Sequence, residues 1–533
     1  MKSNFSKILG IMTLLSGFMM SCEKDLNVKP ANTVTASVAY STPAGFKEGL
    51  AKAYSAFAVT SNTGGPGVTD VPGGDAGASD FLRLFWNVQE LTSDEAKCAW
   101  SGSQNPGIQD LNQDIWDPTN AVLKGLYERS IYQITLCNDF LRQSTDANLA
   151  TDGITGSNVT DIHYYRAEVR FLRAYQYWML MDVFGDPSYV DETTPIGAYY
   201  PKQISRSALY TYIESELKAI DPLLMAPHKN EYGRVDEAAD WALQARLYLN
   251  AQVYTGTADW TDAMTYAKKV TDASYPLVTK YQNLFLADNN LNNTEVILSI
   301  NYDGINTQTY GGTTFIVNSS INNAWSEGSG FYGVPSGGWT GNRATEKLTG
   351  FFSDTTGKTD TRAIFRIRER VCDTLLSFTS GIGVIKFRNV NSDGTTPVIP
   401  GGTFCNTDFP LFRSAEMYLT YAEAALRSGT DAAGALAAYN VVHQRAYNNA
   451  AAGTVASITL ADVLNERGRE FYWEAQRRTD LIRFGEFTGG TYLWPFKGGP
   501  VGGTNVQDYR SIFPLPIADV TANPNLKQNP GYN

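Results

Sequence analysis

The sequence predicts a mainly α protein: a tetratricopeptide-like helical scaffold with an inserted loop-rich lobe that contains short β-strands. Three observations lead there. Apolar residues recur at threes and fours through several stretches, as a helix with one buried face requires. Small residues fall where successive helices must approach closely, a mark of helix-pair repeats, although the repeats are degenerate. Between the helical blocks the composition turns to Gly, Ser, Thr and Asn interleaved with aromatics, which reads as loop.

At the amino end, residues 1–21 place Lys2 and Lys7 ahead of an apolar run from Ile8 to Met20, arranged as an export signal and too short to span a bilayer comfortably. The run closes on Met19-Met20-Ser21-Cys22, which resembles a bacterial lipobox. A cysteine directly after an apolar run and a small residue makes Cys22 the expected lipidation site, although Met19 stands where Leu is usual. Residues 22–40 form a polar tether. Residues 41–300 form the amino-terminal helical region. Its clearest helix covers residues 161–183, with Ile162, Tyr165, Val169, Leu172, Met179 and Val183 on one face and Gly185-Asp186-Pro187 as the stop. Helices over 207–225, 236–253 and 260–270 follow, with Ala238, Ala239, Ala245, Ala263 and Ala267 at the expected crossings. Residues 291–302 and 383–390 alternate like short strands. Residues 61–80 and 301–341 read as long loops, uncommon in a compact protein unless they serve function. Residues 301–410 are therefore the expected ligand-binding lobe. Residues 411–533 complete the scaffold with helices over 414–427, 432–446 and, unbroken, 461–484.

The composition excludes several classes. Aromatics make up 12% of the 533 residues and charged residues 18%, below the roughly 25% usual for soluble domains, which argues against disorder. With 43 Lys and Arg against 54 Asp and Glu, the net charge of -11 repels phosphate backbones, so nucleic acid is not an expected partner. Cys98, Cys137, Cys372 and Cys405 show no C-x-x-C spacing, which disfavours zinc, and they either pair in one of three ways or stay buried as thiols. The 3 histidines, His163, His228 and His443, lie far apart, and no G-x-S-x-G elbow occurs. Gly357-Lys358-Thr359 lacks the first glycine of a phosphate loop, since Phe352 occupies its place. Asp288, Asn290 and Asn292 imitate the start of a calcium loop, but Asn293 and Ser299 stand where Gly and Glu belong. No cofactor is therefore expected, and calcium, if bound, takes noncontiguous oxygens that the sequence does not spell out. The charged clusters around Arg166–Arg173 and Glu466–Arg477 have the spacing of structural ion pairs.

The loop aromatics are more informative: Trp86, Trp100 and Trp116 towards the amino end, then Tyr302, Tyr310, Trp325, Phe331, Tyr332 and Trp339 among glycines and small polar residues. A sugar ring packs its C–H face on an aromatic plane while its hydroxyls take amide and hydroxyl partners at the rim, and these segments supply both. A single Trp is more often core, so the group carries more weight than any member.

Several segments, in order, resemble the SusD/RagB-like outer-membrane lipoproteins of Bacteroidota nutrient-uptake systems. They are ELTSDE at 90–95, RAEVRFLRAYQYWMLMDVFG at 166–185, FPLFRSAEMYLTYAEA at 409–424, NERGREFYWEAQRRTDLIRFG at 465–485 and FPLPIADVTANPNLKQNPGY at 513–532. The resemblance implies a SusD-like fold, a lipid anchor on the cell-surface side of the outer membrane, and a surface lobe that binds oligosaccharides without turning them over. It also implies a SusC-like TonB-dependent barrel as partner, to which the glycan is delivered. After Ser93-Asp94-Glu95 such proteins often carry a stacking aromatic, here Trp100, with Gln104 or Asn105 as polar companion; in the lobe the corresponding candidates are Tyr310, Asn322, Trp325 and Tyr332. The alternatives are a helical glycoside hydrolase, for which 54 acids make any carboxylate pair uninformative, and a peptide-binding or architectural lid on the transporter.

Overall fold

A computed structural model describes residues 36–61, 63–197, 199–291, 293–321, 328–367, 369–447 and 451–532. The expected signal segment, Cys22, Asn322 and Trp325 lie outside the described residues. The helices of seven residues or more begin with α1 (Pro43–Ala58), α2 (Phe81–Glu90), α3 (Ala121–Gln143) and α4 (Ser157–Phe184). They continue with α5 (Arg206–Ile220), α6 (Glu237–Leu249), α7 (Trp260–Asp272) and α8 (Gly312–Ser320). The last are α9 (Ser414–Ser428), α10 (Ala432–Ala446), α11 (Leu460–Phe471) and α12 (Arg477–Arg483). Among the described residues no helix is long and apolar enough to cross a membrane.

The scaffold is a stack of helices, each packed on its neighbour. α3 packs on α4 and α4 on α5, then α6 on α7, α7 on α9 and α9 on α10. Alanines let the axes approach: Ala238, Ala242 and Ala245 of α6, Ala263 and Ala267 of α7, and Ala415 and Ala422 of α9 are all fully buried. α4 is the pillar, since every residue from Phe171 to Phe184 is buried, its polar members Arg173, Gln176 and Asp182 taking buried hydrogen-bond partners. It ends where the sequence predicts, at Gly185, whose φ of 73° is left-handed.

The stack runs directly from α7 to α9, so everything between them is an insertion. Its base is an antiparallel ladder of β4 (Val296–Ile300) and β8 (Phe409–Arg413), in which Ile300 faces Phe409 and Val296 faces Arg413. A second ladder, β1 (Ala96–Cys98) with β5 (Asn342–Ala344), stitches the lobe to the segment after α2. Two smaller ladders join β2 (Ser188–Tyr189) to β3 (Lys202–Gln203) and β6 (Phe365–Arg366) to β7 (Gly383–Val384).

Three expectations need correction. Residues 301–341 are not all loop: α8 lies within them, with every residue buried against α2. The strand expected over 383–390 pairs only at Gly383–Val384. The helix expected over 461–484 is broken between α11 and α12, where Trp473 and Ala475 take left-handed φ values of 66° and 58°. Buried groups from elsewhere hold that break: Trp86 Nε1 donates to the Trp473 carbonyl (3.2 Å), Ala475 N donates to Glu90 Oε1 (2.7 Å), and Lys386 Nζ donates to the Tyr472 carbonyl (2.6 Å).

The charged clusters are structural, and most partners come from other elements. Arg413 bridges Glu295, Glu470 and Glu474, Arg362 joins Asp360, Glu466 and Glu470, and Arg173 holds Glu192 and Glu216. The Arg413 and Arg362 bridges fix α11 against the lobe. The four cysteines are free thiols, and burial pushes each up to about 12.

Candidate functional site

Trp100, Tyr310 and Trp339, from three separate segments, surround a surface depression of about 300 Å³ together with Asp75, Arg83 and Asn105. Trp339 stands between the other rings: its centroid is 6.5 Å from that of Trp100 and 6.2 Å from that of Tyr310, with planes inclined by 46° and 45°. The three rings therefore form a curved platform.

Each ring is held by something the sequence places nearby. Trp100 lies two residues past the end of β1; its carbonyl accepts from Gln109 Nε2 (2.6 Å), and its ring packs at 5.7 Å on Phe315 of α8. Gly341 lies beneath it with φ of 120°, and a Cβ there would come within 2.4 Å of Trp100 Nε1, so only glycine leaves room for the indole. Trp339 N donates to the Asn318 carbonyl near the end of α8 (2.8 Å). Tyr310 is set by Asp80, the N-cap of α2, whose Oδ1 accepts from Arg83 N (3.0 Å) and Gly312 N (2.8 Å) and whose Oδ2 accepts from Thr309 Oγ1 (3.2 Å). Tyr310 is thus spanned by two residues tied to one buried carboxylate. Burial raises the Asp80 carboxyl above its ordinary range, against the pull of the two backbone donors.

Arg83 carries the polar side of the depression. Its two terminal nitrogens donate to the two oxygens of Asp75 at 2.7 Å each, a bidentate pair, while its guanidinium lies 5.3 Å from the Trp100 centroid and 5.0 Å from that of Phe315. The pair fixes both groups, leaving carboxylate lone pairs and the Asn105 amide at the rim to meet hydroxyls.

Of the residues singled out from sequence, Trp100, Asn105 and Tyr310 meet here. Gln104 is one residue away and lines the adjoining depression instead. Tyr332 does not take part: it is 1% exposed and buried in the core, so it presents no face to a ligand, a correction to its assignment. Trp86 and Trp116 are likewise core residues. Asp75 and Arg83 were not candidates, and Trp339 was noticed only within the aromatic group. Asp288, from the imitation calcium loop, accepts from Ser392 N (2.8 Å) and Oγ (2.6 Å), and among the described residues no group of three or more His, Cys, Asp or Glu is placed to hold a metal ion.

Fold and site together define a helical scaffold protein with a fixed aromatic platform where an inserted lobe meets the segment after α2. A model of the SusD family matches residues 368–532. Over 581 aligned positions the chain is 35% identical to a protein of Bacteroides thetaiotaomicron named starch-binding protein SusD, covering 100% of both chains. A SusD-like protein of Bacteroides ovatus is 26% identical over 345 residues, 59% of this chain and 58% of its own. Among solved structures, surface glycan-binding protein A from Bacteroides thetaiotaomicron in complex with laminarihexaose shares the fold with a TM-score of 0.68 at 20% identity, over 91% of this chain and 98% of its own. The chain belongs to the SusD family.

Proposed function

We propose that this protein is a lipid-anchored, cell-surface glycan-binding protein that captures oligosaccharides on the Trp100–Trp339–Tyr310 platform and delivers them to a TonB-dependent outer-membrane transporter. The observation that carries the reading is the platform itself: three rings on rigid supports, curved, with a bidentate Arg–Asp pair and an amide at the rim. Curvature favours a coiled chain over a flat one, because a coil turns successive C–H faces towards neighbouring rings. The full-length relative named for starch binding points the same way, so α-linked glucans are the ligand class we assign.

Binding without turnover fits the polar groups. Hydrolysis by paired carboxylates needs two of them across the scissile bond, and among the described residues lining the depression Asp75 is the sole carboxylate, already held by Arg83. Calorimetric titration with maltooligosaccharides tests the reading, accompanied by reducing-end analysis of the mixture. Binding with no new reducing ends is expected. Failure to bind any maltooligosaccharide overturns the ligand class, and release of reducing ends overturns the non-catalytic assignment.

A further inference from the structure

The platform does not end at Asn105. Arg83 and Asn105 also line a second depression of about 230 Å³, which the glycines at 73 and 74 border on one side and α3 on the other. Glu128, on that α3 wall, in turn lines a third depression of about 400 Å³ that holds Tyr132 and Tyr200. Lys124, Glu128 and Tyr132 recur every four residues, so they share one face of α3, and a rise of 1.5 Å per residue puts the first and last about 12 Å apart along the axis. The second and third depressions therefore follow one another along this face of α3, and the first adjoins the second through Arg83 and Asn105.

The far end is built like the near one. Tyr132 donates through its hydroxyl to Asp70 Oδ2 (2.9 Å), with the Arg129 guanidinium 5.7 Å from its ring centroid, so the ring is held in place. Tyr200 is 59% exposed, yet its backbone is fixed: its carbonyl accepts from Asn525 Nδ2, and that of Pro201 accepts from Asn523 Nδ2, each at 2.8 Å. An exposed ring on an anchored backbone offers contact area at little cost in ordering. A hydroxyl acceptor stands beside it: Glu128 has a 3.6 Å approach from Lys124.

We propose that Tyr132 and Tyr200 form a distal platform that takes further rings of the same glycan chain, so the binding site is an extended groove. This rests on the reading of the near platform as an oligosaccharide site. The test compares maltotriose with maltodecaose on the full chain by calorimetry, in wild type, Tyr200→Ala and Tyr200→Phe. Register statistics raise the affinity of the longer chain equally in every variant, so the informative quantity is the ratio between proteins. Tyr200→Ala is expected to weaken maltodecaose about tenfold, the effect of one well-packed ring, and to leave maltotriose unchanged, with Tyr200→Phe close to wild type. Equal maltodecaose affinity in wild type and Tyr200→Ala, or equal weakening of both sugars, overturns the distal platform while leaving the near one standing. If wild type binds neither sugar, both readings fall.

Discussion

Tyr310 and Tyr332 look alike in the sequence, each beside glycine in a segment of loop composition, yet one lines the surface depression and the other is 1% exposed. Local pattern does not carry that difference, because Asn389, from outside its own stretch, binds the backbone at Tyr332 and Gly333 and holds that segment in the core. Arg83 and Asp75 escaped sequence reading for a related reason: an Arg eight positions after an Asp in a glycine-rich run has no spacing signature, and the pair exists only once α2 is capped by Asp80. The two tyrosines should separate in experiment. Trp339→Ala and Tyr310→Ala are expected to weaken glucan binding tenfold or more with the thermal midpoint nearly unchanged, whereas Tyr332→Ala should cost about 3 to 5 kcal/mol of stability through a core cavity. Unfolding of both platform variants would show that those rings serve the core. A pH dependence also resides in single residues. Glu90 and Glu95 are interacting carboxyls in the core, and burial raises both, Glu90 to about 7. The folded protein therefore keeps a proton that the unfolded chain releases near 4.5, so this contribution is complete below that pH and is lost as pH rises towards 7. Glu470 and Glu466 act in the opposite sense: buried among arginines they lie below the usual carboxylate range despite desolvation, so their contribution is lost as pH falls below about 4.5. Denaturant titrations from pH 4.5 to 7.5 should show the stability slope flatten in Glu90→Gln, and an unchanged slope would remove this pair as its source.

At the scale of elements, amphipathic periodicity located the scaffold well. The helices expected over 414–427 and 432–446 are α9 and α10 to within one residue, and 161–183 lies inside α4. Periodicity failed where tertiary bonds override it. Leu464, Phe471 and Leu481 keep a helical rhythm across the break between α11 and α12, but the left-handed turn at Trp473 and Ala475 is imposed by Trp86, Glu90 and Lys386, far away in sequence. Left-handed φ costs roughly 1 to 2 kcal/mol at a non-glycine residue, which several buried hydrogen bonds to backbone groups can offset. α2 links this break to the site, because its last residue, Glu90, bonds Ala475 and its N-cap, Asp80, holds the segment around Tyr310. Asp80→Ala is thus expected to lose about 0.5 to 2 kcal/mol as a missing cap and, in addition, to weaken glucan binding by freeing Tyr310. Denaturation and titration of one preparation check both effects, and a destabilised variant with full affinity would show that Tyr310 needs no help from α2. Gly341→Ala should act from the other side, displacing Trp100 and lowering affinity with little change in the scaffold.

Across the whole molecule, insertion of the lobe between α7 and α9 separates two tasks. The helix stack supplies rigidity, and the lobe, tied to it by the β4–β8 and β1–β5 ladders, brings Tyr310 and Trp339 up to Trp100. The resemblance read from sequence supplies what a lone chain lacks. A glycan held outside the cell is useful only if it crosses the membrane, and among the described residues no helix can span one. The expected arrangement has Cys22 acylated, holding the protein at the outer membrane, with a TonB-dependent barrel beneath it. Each buried methylene contributes about 0.8 kcal/mol, and more than one chain is needed for stable anchoring, so Cys22→Ala should move the protein from the detergent phase to the aqueous phase. The barrel is the further step. A binding protein that sits on it as a lid must keep one edge attached while the other opens, which calls for a stiff contact surface and a hinge outside it. The alanine-lined stack, close-packed from α6 to α10, has that stiffness, and docking through it would leave the platform free to face the barrel mouth. Extraction in mild detergent followed by affinity purification on this chain and mass spectrometry should recover a large barrel protein in near-equal amount, and should still do so from Trp339→Ala cells, since docking and glycan binding use different surfaces. Repeated recovery of this protein alone would reject the lid assignment, and loss of the barrel in Trp339→Ala would place the platform within the contact itself.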